Sequence, residues 1–597
     1  MAALAELPDE LLEQILRCPA LGPRDLASVC LTCRRLSDAF QGRGSLWRHK
    51  LTHRWPTLLK HYSRTKRYNW WEEYRTRHSV GLQVRKIVET FSKRFFAKEQ
   101  VPVDGFRDIE ALNGPCHFIE DELVTILNMD RRKYLTSKYY TRKILYYIRQ
   151  KDIMEKLKEF LSNPPDMQRL IEGAVLIDQY LDPLAETSLE SILRELNDIT
   201  EEVKRVLRLT NSSHPSIAAD RDGDTFIDSL DLQRQALVAM NSVLYKQLKF
   251  SGNEDNYLKP VNFYIHQVLR EKEGIRIALC VLYSTIGRNL GIRLEPVSFL
   301  GYFLLRWCQK PEGSTDFLDY VYIDAFDNGK LYTAKECECL LDQPVATSYY
   351  SPTSTKNMLL CMATNLFHRG KENASDESYQ LLGNTLDLYV TLTTIDLCLT
   401  LTPDDVQYLM LPARLYFQLG INPEKVLDIL QRVQVIDPSH HNVGHMIQLT
   451  LEQIARKNLM AELQIKHRTN EKHREVAFSV GLIMKHKRYG YDCVICGWDP
   501  KCMMEVNWMR NMGVYNLPNG PNQPFYNVLV QDGSCRYAAQ ENLVYNPAPL
   551  EIGHEKVGRY FSEFTGFHYV ANVELQMQYP GDLASTSQTV QRVYGCI

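Results

Sequence analysis

The sequence predicts a multidomain α+β chain. A three-helix module stands first, then a largely helical middle containing an α+β domain and a helical hairpin, then a small antiparallel β-barrel. Three observations predict it. Apolar residues recur at helical spacing through the first fifty positions. Helix-like and strand-like stretches mix between the Pro164-Pro165 break and about Asp342. From Phe478 the chain turns to short alternating segments punctuated by Gly490, Asp499-Pro500 and Asp532-Gly533.

Composition narrows the class. A chain of 597 residues, 44% hydrophobic with a formal net charge of −2, has the make-up of a globular protein of roughly three to five domains. Near-neutral charge argues against a chain built mainly for nucleic acid or membrane surfaces. No basic-flanked apolar leader and no apolar run of bilayer length is visible, so neither secretion nor a membrane partner is expected. Fifteen cysteines, an odd number scattered through apolar contexts, fit reduced thiols in cytoplasm or nucleus. The expected divisions are 1–60, 61–169, 170–345, 346–470, 476–572 and a tail over 573–597.

In the first module Leu11, Leu12, Ile15 and Leu16 fall on one side of a helix. Pro8 suits its first turn, and Asp9 and Glu10 favour the positive end of its dipole. A second helix starts near Pro23 with Leu26, Val29, Cys30 and Cys33 on one stripe. So small a module exposes more leucine than it can bury. The order Leu7-Pro8-x-Glu10-Leu11-Leu12-x-x-Ile15-Leu16, then Asp25-Leu26, Cys33-Arg34-Arg35-Leu36 and Leu46-Trp47, resembles the F-box. That resemblance implies docking on the Skp adaptor of a cullin-based ubiquitin ligase, through Leu7, Pro8, Leu11, Leu12, Ile15, Leu16, Leu26 and Val29. The alternative is an amphipathic helical cap packed on its own chain.

Residues 50–170 read as helical and basic. Lys66, Arg67, Arg77, Arg85 and Arg94 alternate with Tyr68, Trp70, Trp71, Tyr74, Phe91 and Phe95. Interleaving of this kind is what a nucleic-acid groove uses. At helical spacing the simpler expectation is aromatics in the core and charges in water. A further helix is expected over Tyr139 to Leu161.

In the 170–345 stretch, helices are expected over Leu237–Leu248 and Tyr257–Leu269, and another runs from Gly274 to Leu290 before Gly291. Strands are expected around Leu294–Phe299, Phe303–Trp307 and Tyr320–Ala325. The run Gly274-Ile275-Arg276-Ile277-Ala278-Leu279-Cys280, with Gly301-Tyr302-Phe303 and Tyr322-Ile323-Asp324-Ala325-Phe326, resembles a transglutaminase-like domain of the SirB1 type. In catalytic members of that fold a Cys opens the helix, a His begins a strand, and an Asp orients the His. Here the resemblance puts Ala278 at the nucleophile position, Tyr302 at the His position and Asp324 at the Asp position. Cys280 lies two residues on, turned by roughly 200° around the helix. A phenol with pKa near ~10 is no base at neutral pH. The domain is therefore expected to be a pseudoenzyme, with Asp324 a structural acceptor for the Tyr302 hydroxyl. A thiol acyltransferase or protease using Cys280 is one rival reading.

Further on, Ala413-Arg414-Leu415-Tyr416-Phe417, Pro423 to Leu430, Val433 and Pro438 resemble one tetratricopeptide-like hairpin, which needs flanking helices for stability. A charged helix is expected over Arg456 to Arg474. The closing region carries Lys485-His486-Lys487-Arg488-Tyr489-Gly490-Tyr491, Gly497-Trp498-Asp499-Pro500, Gln523-Pro524-Phe525-Tyr526 and Tyr537 to Leu543. It resembles the YccV-like, or hemimethylated-DNA-binding, domain, whose bacterial relatives also serve as protease-linked adaptors. Between Phe478 and Val570 eight basic residues balance eight acidic ones, so no domain-wide phosphate-seeking field exists. A protein-binding barrel is the expectation. Lys485, His486, Lys487 and Arg488 form the one patch for a partner, and DNA is the alternative occupant.

Cys493-x-x-Cys496 has zinc spacing but lies on a predicted strand without a second pair, and Cys30-x-x-Cys33 lies on an apolar helix stripe. No metal and no cofactor are expected. The order of the modules implies a substrate-recognition subunit of an SCF-type ubiquitin ligase. Its partners would be the Skp adaptor and, through it, cullin and RING subunits, with an unidentified protein target. Catalysis would belong to the RING subunit and its conjugating enzyme.

Overall fold

The computed structural model describes residues 7–595 except 42–43, 64, 99, 186, 218–224, 254–261, 300–301, 311–312, 342–345, 373–384, 420–421 and 461–464. Gly301 of the quoted transglutaminase-like stretch and the first residues of the helix expected at Tyr257 lie outside these. The chain divides into two compact units. One joins Met1–Tyr147 to Ala461–Ile597, and the other is Ile148–Met460.

The first unit opens with helices α1 (Asp9–Leu16), α2 (Pro23–Cys30), α3 (Arg34–Gln41) and α4 (Gly44–Arg54). Helix α5 (Trp70–Phe95) follows, started by Asn69, whose side chain accepts from the Glu72 amide. Then come α6 (Cys116–Leu127) and α7 (Leu135–Ser162). Trp47 of α4 packs on Trp71 and Tyr74 of α5, with ring centres 4.3 and 5.1 Å apart. Tyr74, Phe91 and Phe95 are buried as the periodicity required.

Arg77 departs from the expectation that the charges face water. It is fully buried between α5 and α6. Its Nη2 and Nε donate to Asp121 at 2.6 and 3.0 Å, and its Nη1 donates to Glu122 at 2.7 Å. Gly81 makes the room, since a Cβ there would meet both Arg77 and Glu122 at 2.7 Å. Burial by itself would raise the Glu122 carboxyl, but hydrogen bonds and charge from Arg77 and Arg85 outweigh it and hold the group below its ordinary value.

The second unit contains α8 (Leu170–Leu181), α9 (Leu189–Thr210), α10 (Leu230–Asn241) continued by a π-helical turn over Ser242–Gln247, α11 (Ile265–Glu271) and α12 (Arg276–Asn289). An antiparallel sheet follows, in the order β1 (Glu295–Phe299), β2 (Tyr302–Cys308), β3 (Tyr320–Asp324) and β4 (Lys330–Tyr332). Gly291, with φ +83°, ends α12 as a side-chain-bearing residue would not. Later helices are α13 (Ala334–Leu341), α14 (Thr355–Glu372), α15 (Thr385–Leu401), α16 (Val406–Leu419), α17 (Pro423–Ile436) and α18 (Val443–Met460). One core runs from Leu157 and Phe160 of α7 through α8–α12 to Met358, Leu359 and Leu397. The expected connecting region 61–169 is thus divided. Its residues up to Tyr147 belong to the first unit and those from Ile148 to the second. The tetratricopeptide-like hairpin keeps a core of its own, with Ala413, Tyr416, Val426, Leu430, Val433 and Val443. The charged helix expected over Arg456–Arg474 does not form as one element. Helix α18 ends at Met460, residues 461–464 are not described, and Glu471–His473 is a single 3-10 turn.

The C-terminal region is a five-stranded antiparallel sheet of β5 (Ile483–His486), β6 (Asp492–Asp499), β7 (Phe525–Val530), β8 (Cys535–Ala539) and β9 (Leu543–Tyr545), in the order β8-β7-β6-β5-β9. A hairpin, β10 (Phe561–Phe564) with β11 (Tyr569–Ala571), packs against it. The expected tail is a correction. Residues 573–594 form α19 (Val573–Gln578) and α20 (Asp582–Tyr594), and Leu575, Tyr579 and Val590 join the sheet's core. The buried Asp582 accepts from the Trp498 indole at 2.9 Å and the Val480 amide at 2.8 Å, so two strand-region donors rely on the last helix.

The same domain is bound to the early helices. Thr136 Oγ1 donates to the Phe561 carbonyl at 2.9 Å, and the Phe564 amide donates to the Arg132 carbonyl at 2.8 Å. Gly558 has no space for a Cβ, which would lie 2.4 Å from the Leu135 oxygen.

Two outcomes are expected. Arg77→Ala removes the buried cation from Asp121 and leaves Glu122 with Arg85 alone, and should destabilise by ~3–5 kcal/mol, read from the denaturant midpoint. Because the folded Glu122 carboxyl sits below its unfolded value of about 4.3, its contribution is full above that pH and is lost as pH falls through the folded value. Chemical denaturation from pH 7 down to pH 3 should show an acid loss in the wild type that is smaller in Arg77→Ala, where Arg85 alone still holds the Glu122 carboxyl down. Truncation after Asn572 should lower the unfolding temperature by uncovering the sheet core and orphaning the Trp498 indole.

Candidate functional site

Helix α1 divides the leucines of the N-terminal module. Leu12, Leu16 and Leu26 are buried at 2, 4 and 2% exposure, so these three of the residues assigned to the adaptor are spent on the module's own core. A module of short helices has no other apolar mass to close on. Pro8, Leu11 and Ile15, spaced i, i+3, i+7, line the other side of α1 and are exposed, Leu11 at 46% and Ile15 at 42%. Leu7 and Val29 are half-buried. Leu31, just past α2, is 87% exposed, and the sequence reading did not single it out. The face is braced from behind. Lys50 Nζ, buried in α4, donates to the carbonyls of Cys18 at 2.6 Å and Leu21 at 3.2 Å, and Arg35 Nη2 donates to the Leu7 carbonyl at 3.1 Å. Burial draws the Lys50 ammonium below its ordinary pKa.

In the transglutaminase-like domain the three expected positions lie around the start of α12 and the strands beside it. Ala278 is fully buried and offers no nucleophile. Asp324, at the end of β3, is buried and accepts from Arg276 Nη1 at 2.9 Å and from the amides of Phe326 at 2.9 Å and Asp327 at 3.3 Å. Its side-chain donor is Arg276, where the sequence reading put the Tyr302 hydroxyl. The Arg276 guanidinium lies 3.8 Å from the centre of the Tyr302 ring and 4.2 Å from that of Phe326. The Tyr302 ring thus supports a cation. Arg276 went unassigned although it is the one charge in the apolar run from Ile275 to Tyr283. Cys280 is 1% exposed, and its Sγ donates to the Phe303 carbonyl at 3.6 Å. Burial, then the nearby Asp324 charge, raise its thiol well above the ordinary range.

The four-residue patch of the C-terminal domain is not uniform. Lys485, Lys487 and Arg488 are exposed, but His486 is buried. Its Nδ1 accepts from the amides of Arg488 and Tyr489, both at 3.2 Å, so it shapes the β5–β6 turn. Burial, with Arg536 and Arg488 nearby, keeps the ring below its ordinary pKa, which suits an acceptor. Lys487 Nζ is tied to the Glu541 carbonyl at 2.5 Å.

Cys493 and Cys496 are both buried and donate to different carbonyls, Met484 and Asn527. Among the described residues no three His, Cys, Asp or Glu side chains come together to hold a metal, and no helix is long and apolar enough to cross a membrane.

Three family models match the regions that carry these residues. The F-box-like family model matches residues 4–53, the transglutaminase-like superfamily model residues 190–364, and the model for hemimethylated DNA-binding protein YccV like residues 476–568. F-box only protein 21 of Pongo abelii is 54% identical over 100% of this chain and 94% of its own length, and that of Homo sapiens is 53% identical with the same coverage. A UPF0162 protein of Xylella fastidiosa is 28% identical over 38% of the chain and 79% of its own length. No solved structure matches. The N-terminal segment is F-box-like, which places the chain among F-box proteins, a class that supports a general role in substrate recognition for SCF ligases. Within it the chain belongs to the F-box only protein 21 family.

Burial of Cys280 has a direct readout. In the folded protein it should resist iodoacetamide at pH 8 while the exposed Cys18 and Cys116 are alkylated, and it should react only after denaturation, as peptide mass spectrometry would record. Alkylation of Cys280 in native protein would contradict this geometry.

Proposed function

We propose that this chain is the substrate-recognition subunit of an SCF-type ubiquitin ligase, directing ubiquitination and degradation of target proteins. The observation that carries the reading is the exposed stripe Pro8, Leu11 and Ile15 on α1, within the segment that matches the F-box-like family. Apolar side chains in a row on an otherwise self-closed module lower the free energy when another surface covers them. The Skp adaptor is the partner this assigns, with cullin and RING subunits reached through it. The chain then acts as a non-catalytic receptor. Ala278 at the nucleophile position and the burial of Cys280 support that, as does the commitment of Asp324 to Arg276. Cytoplasm or nucleus, as the cysteine usage suggests, is the compartment that fits such an assembly.

DNA binding through the C-terminal domain draws less support. With His486 folded inward, its patch is reduced to three exposed cations in a charge-balanced domain.

The decisive experiment uses Leu11→Ala with Ile15→Ala. Both residues are exposed, so the fold should persist by circular dichroism. Anchors of this kind cost ~2 kcal/mol or more each when truncated, so adaptor affinity should fall by at least about tenfold in a pull-down or calorimetric titration. Unchanged adaptor capture would overturn the assignment.

A further inference from the structure

A concave site lies in the first unit, between α4 and the start of α5. Arg48, Tyr62, Lys66, Arg67, Tyr68 and Trp70 line a cleft of about 500 Å³. That is room for a small ligand or one modified side chain. We propose that this cleft binds a phosphomonoester carried on a protein segment.

Charge is the first argument. Arg48, Lys66 and Arg67 are exposed, and none forms an ion pair with a described carboxylate. Of the α5 cations, Arg77 is neutralised by Asp121 and Glu122, Arg85 by Glu122 and Arg94 by Asp108, while Arg75, Lys86 and Lys93 are exposed singly along the helix and do not line this cleft. Positive charge is thus left unspent at the cleft. The acidic groups nearby in sequence are occupied. Glu73 accepts from the Tyr62 hydroxyl at 2.9 Å, and Glu72 takes a hydrogen bond from the Asn69 side chain at 3.3 Å. A phosphoryl group brings about −1.5 to −2 charges and three strong acceptors, and two guanidinium forks beside an ammonium suit it.

Ring geometry separates this ligand from a nucleic-acid strand. Tyr62, Tyr68 and Trp70 pack on one another, with centres 4.9, 4.9 and 5.4 Å apart. Arg48 lies over Trp70 at 5.5 Å and Lys66 over Tyr68 at 5.8 Å. The rings therefore hold cations in place, and those faces are not free for bases to stack on. Tyr68 is itself fixed, since its hydroxyl accepts from the Ser63 amide at 3.0 Å. A preset cluster of cations on a short rim fits one compact dianion better than an extended polyanion.

That the phosphate's owner is a target protein rests on the receptor reading above. The two are tested apart, adaptor capture with the α1 variant and the cleft with its own. The probe is a fluorescein-labelled peptide pool of degenerate sequence with one central phosphoserine or phosphotyrosine, titrated into the full chain by fluorescence polarisation. Parallel arms use the unphosphorylated pool, inorganic phosphate as competitor, and an oligothymidylate. A phosphorylated pool should bind at least about tenfold more tightly than its unphosphorylated counterpart, and Arg48→Ala with Arg67→Ala should remove about that factor, as loss of charge-assisted bidentate contacts would. Both substituted side chains are exposed, so the variant should retain its circular dichroism spectrum and its adaptor binding. Equal binding of the two pools, or indifference to the double substitution, would overturn the proposal. So would tighter binding of the oligothymidylate, or inorganic phosphate binding as tightly as the peptides.

Discussion

Arg559 ties the end of this protein to its beginning. Its guanidinium, buried, donates from Nε and Nη2 to the Phe96 carbonyl at 3.2 and 3.0 Å, across 463 positions of sequence. A charge held that deep demands acceptors in place, and a helix-terminal carbonyl supplies one. Around it Phe96 joins the core of the C-terminal sheet and meets Tyr560 edge-on at 5.9 Å. The first unit therefore cannot be completed until the last hundred residues exist. Closing so long a loop costs only logarithmically more entropy than closing a short one, so a dense cluster of contacts at the junction suffices to hold it. The cost appears in kinetics, since contacts this remote in sequence form slowly.

That closure gives the exposed α1 stripe a defined setting. Helices α1–α4 alone would be a marginal module. Trp47 against Trp71 and Tyr74 fastens them to α5, and α5 leads directly to Phe96. The helices that carry the exposed α1 stripe and the C-terminal sheet thus belong to one unit. The transglutaminase-like and tetratricopeptide-like parts form a separate unit spliced into the chain between its halves. Within that unit Asp324 anchors the Arg276 guanidinium, and the Tyr302 ring lies under the same cation.

Much of this was legible in the sequence. The order of the three matched regions and the strands at Glu295–Phe299 and Phe525–Val530 could be read from spacing and motif. What could not be read shares one physical cause, dependence on partners far away in the chain. Periodicity marks Leu11, Leu12, Ile15 and Leu16 alike as apolar. Only packing decides that Leu12 and Leu16 close the module while Leu11 and Ile15 remain outside. Arg77 looked like a solvated charge because its carboxylates stand 44 and 45 positions later. The final helices resembled a tail because Asp582 and Thr586 carry no apolar signal. Their worth lies in donors and acceptors supplied by Trp498, Val480 and Ser479.

The basic and aromatic interleaving after Arg48 shows how one pattern serves two ends. Where the helix is regular, the rings of Tyr74, Phe91 and Phe95 turn inward, and the cations either find carboxylates or face water. Before α5 starts at Trp70 the backbone is a 3-10 turn over Pro56–His61, and the described residues between that turn and Trp70 are not helical. Helical phase no longer separates ring from charge there. Tyr62, Tyr68 and Trp70 gather on one another, and their cations gather over the same rings. A helical wheel applied across this break averages the two regimes into an ordinary amphipathic surface. The break in periodicity itself converts a stretch of core-former sequence into a lined cavity with unspent charge.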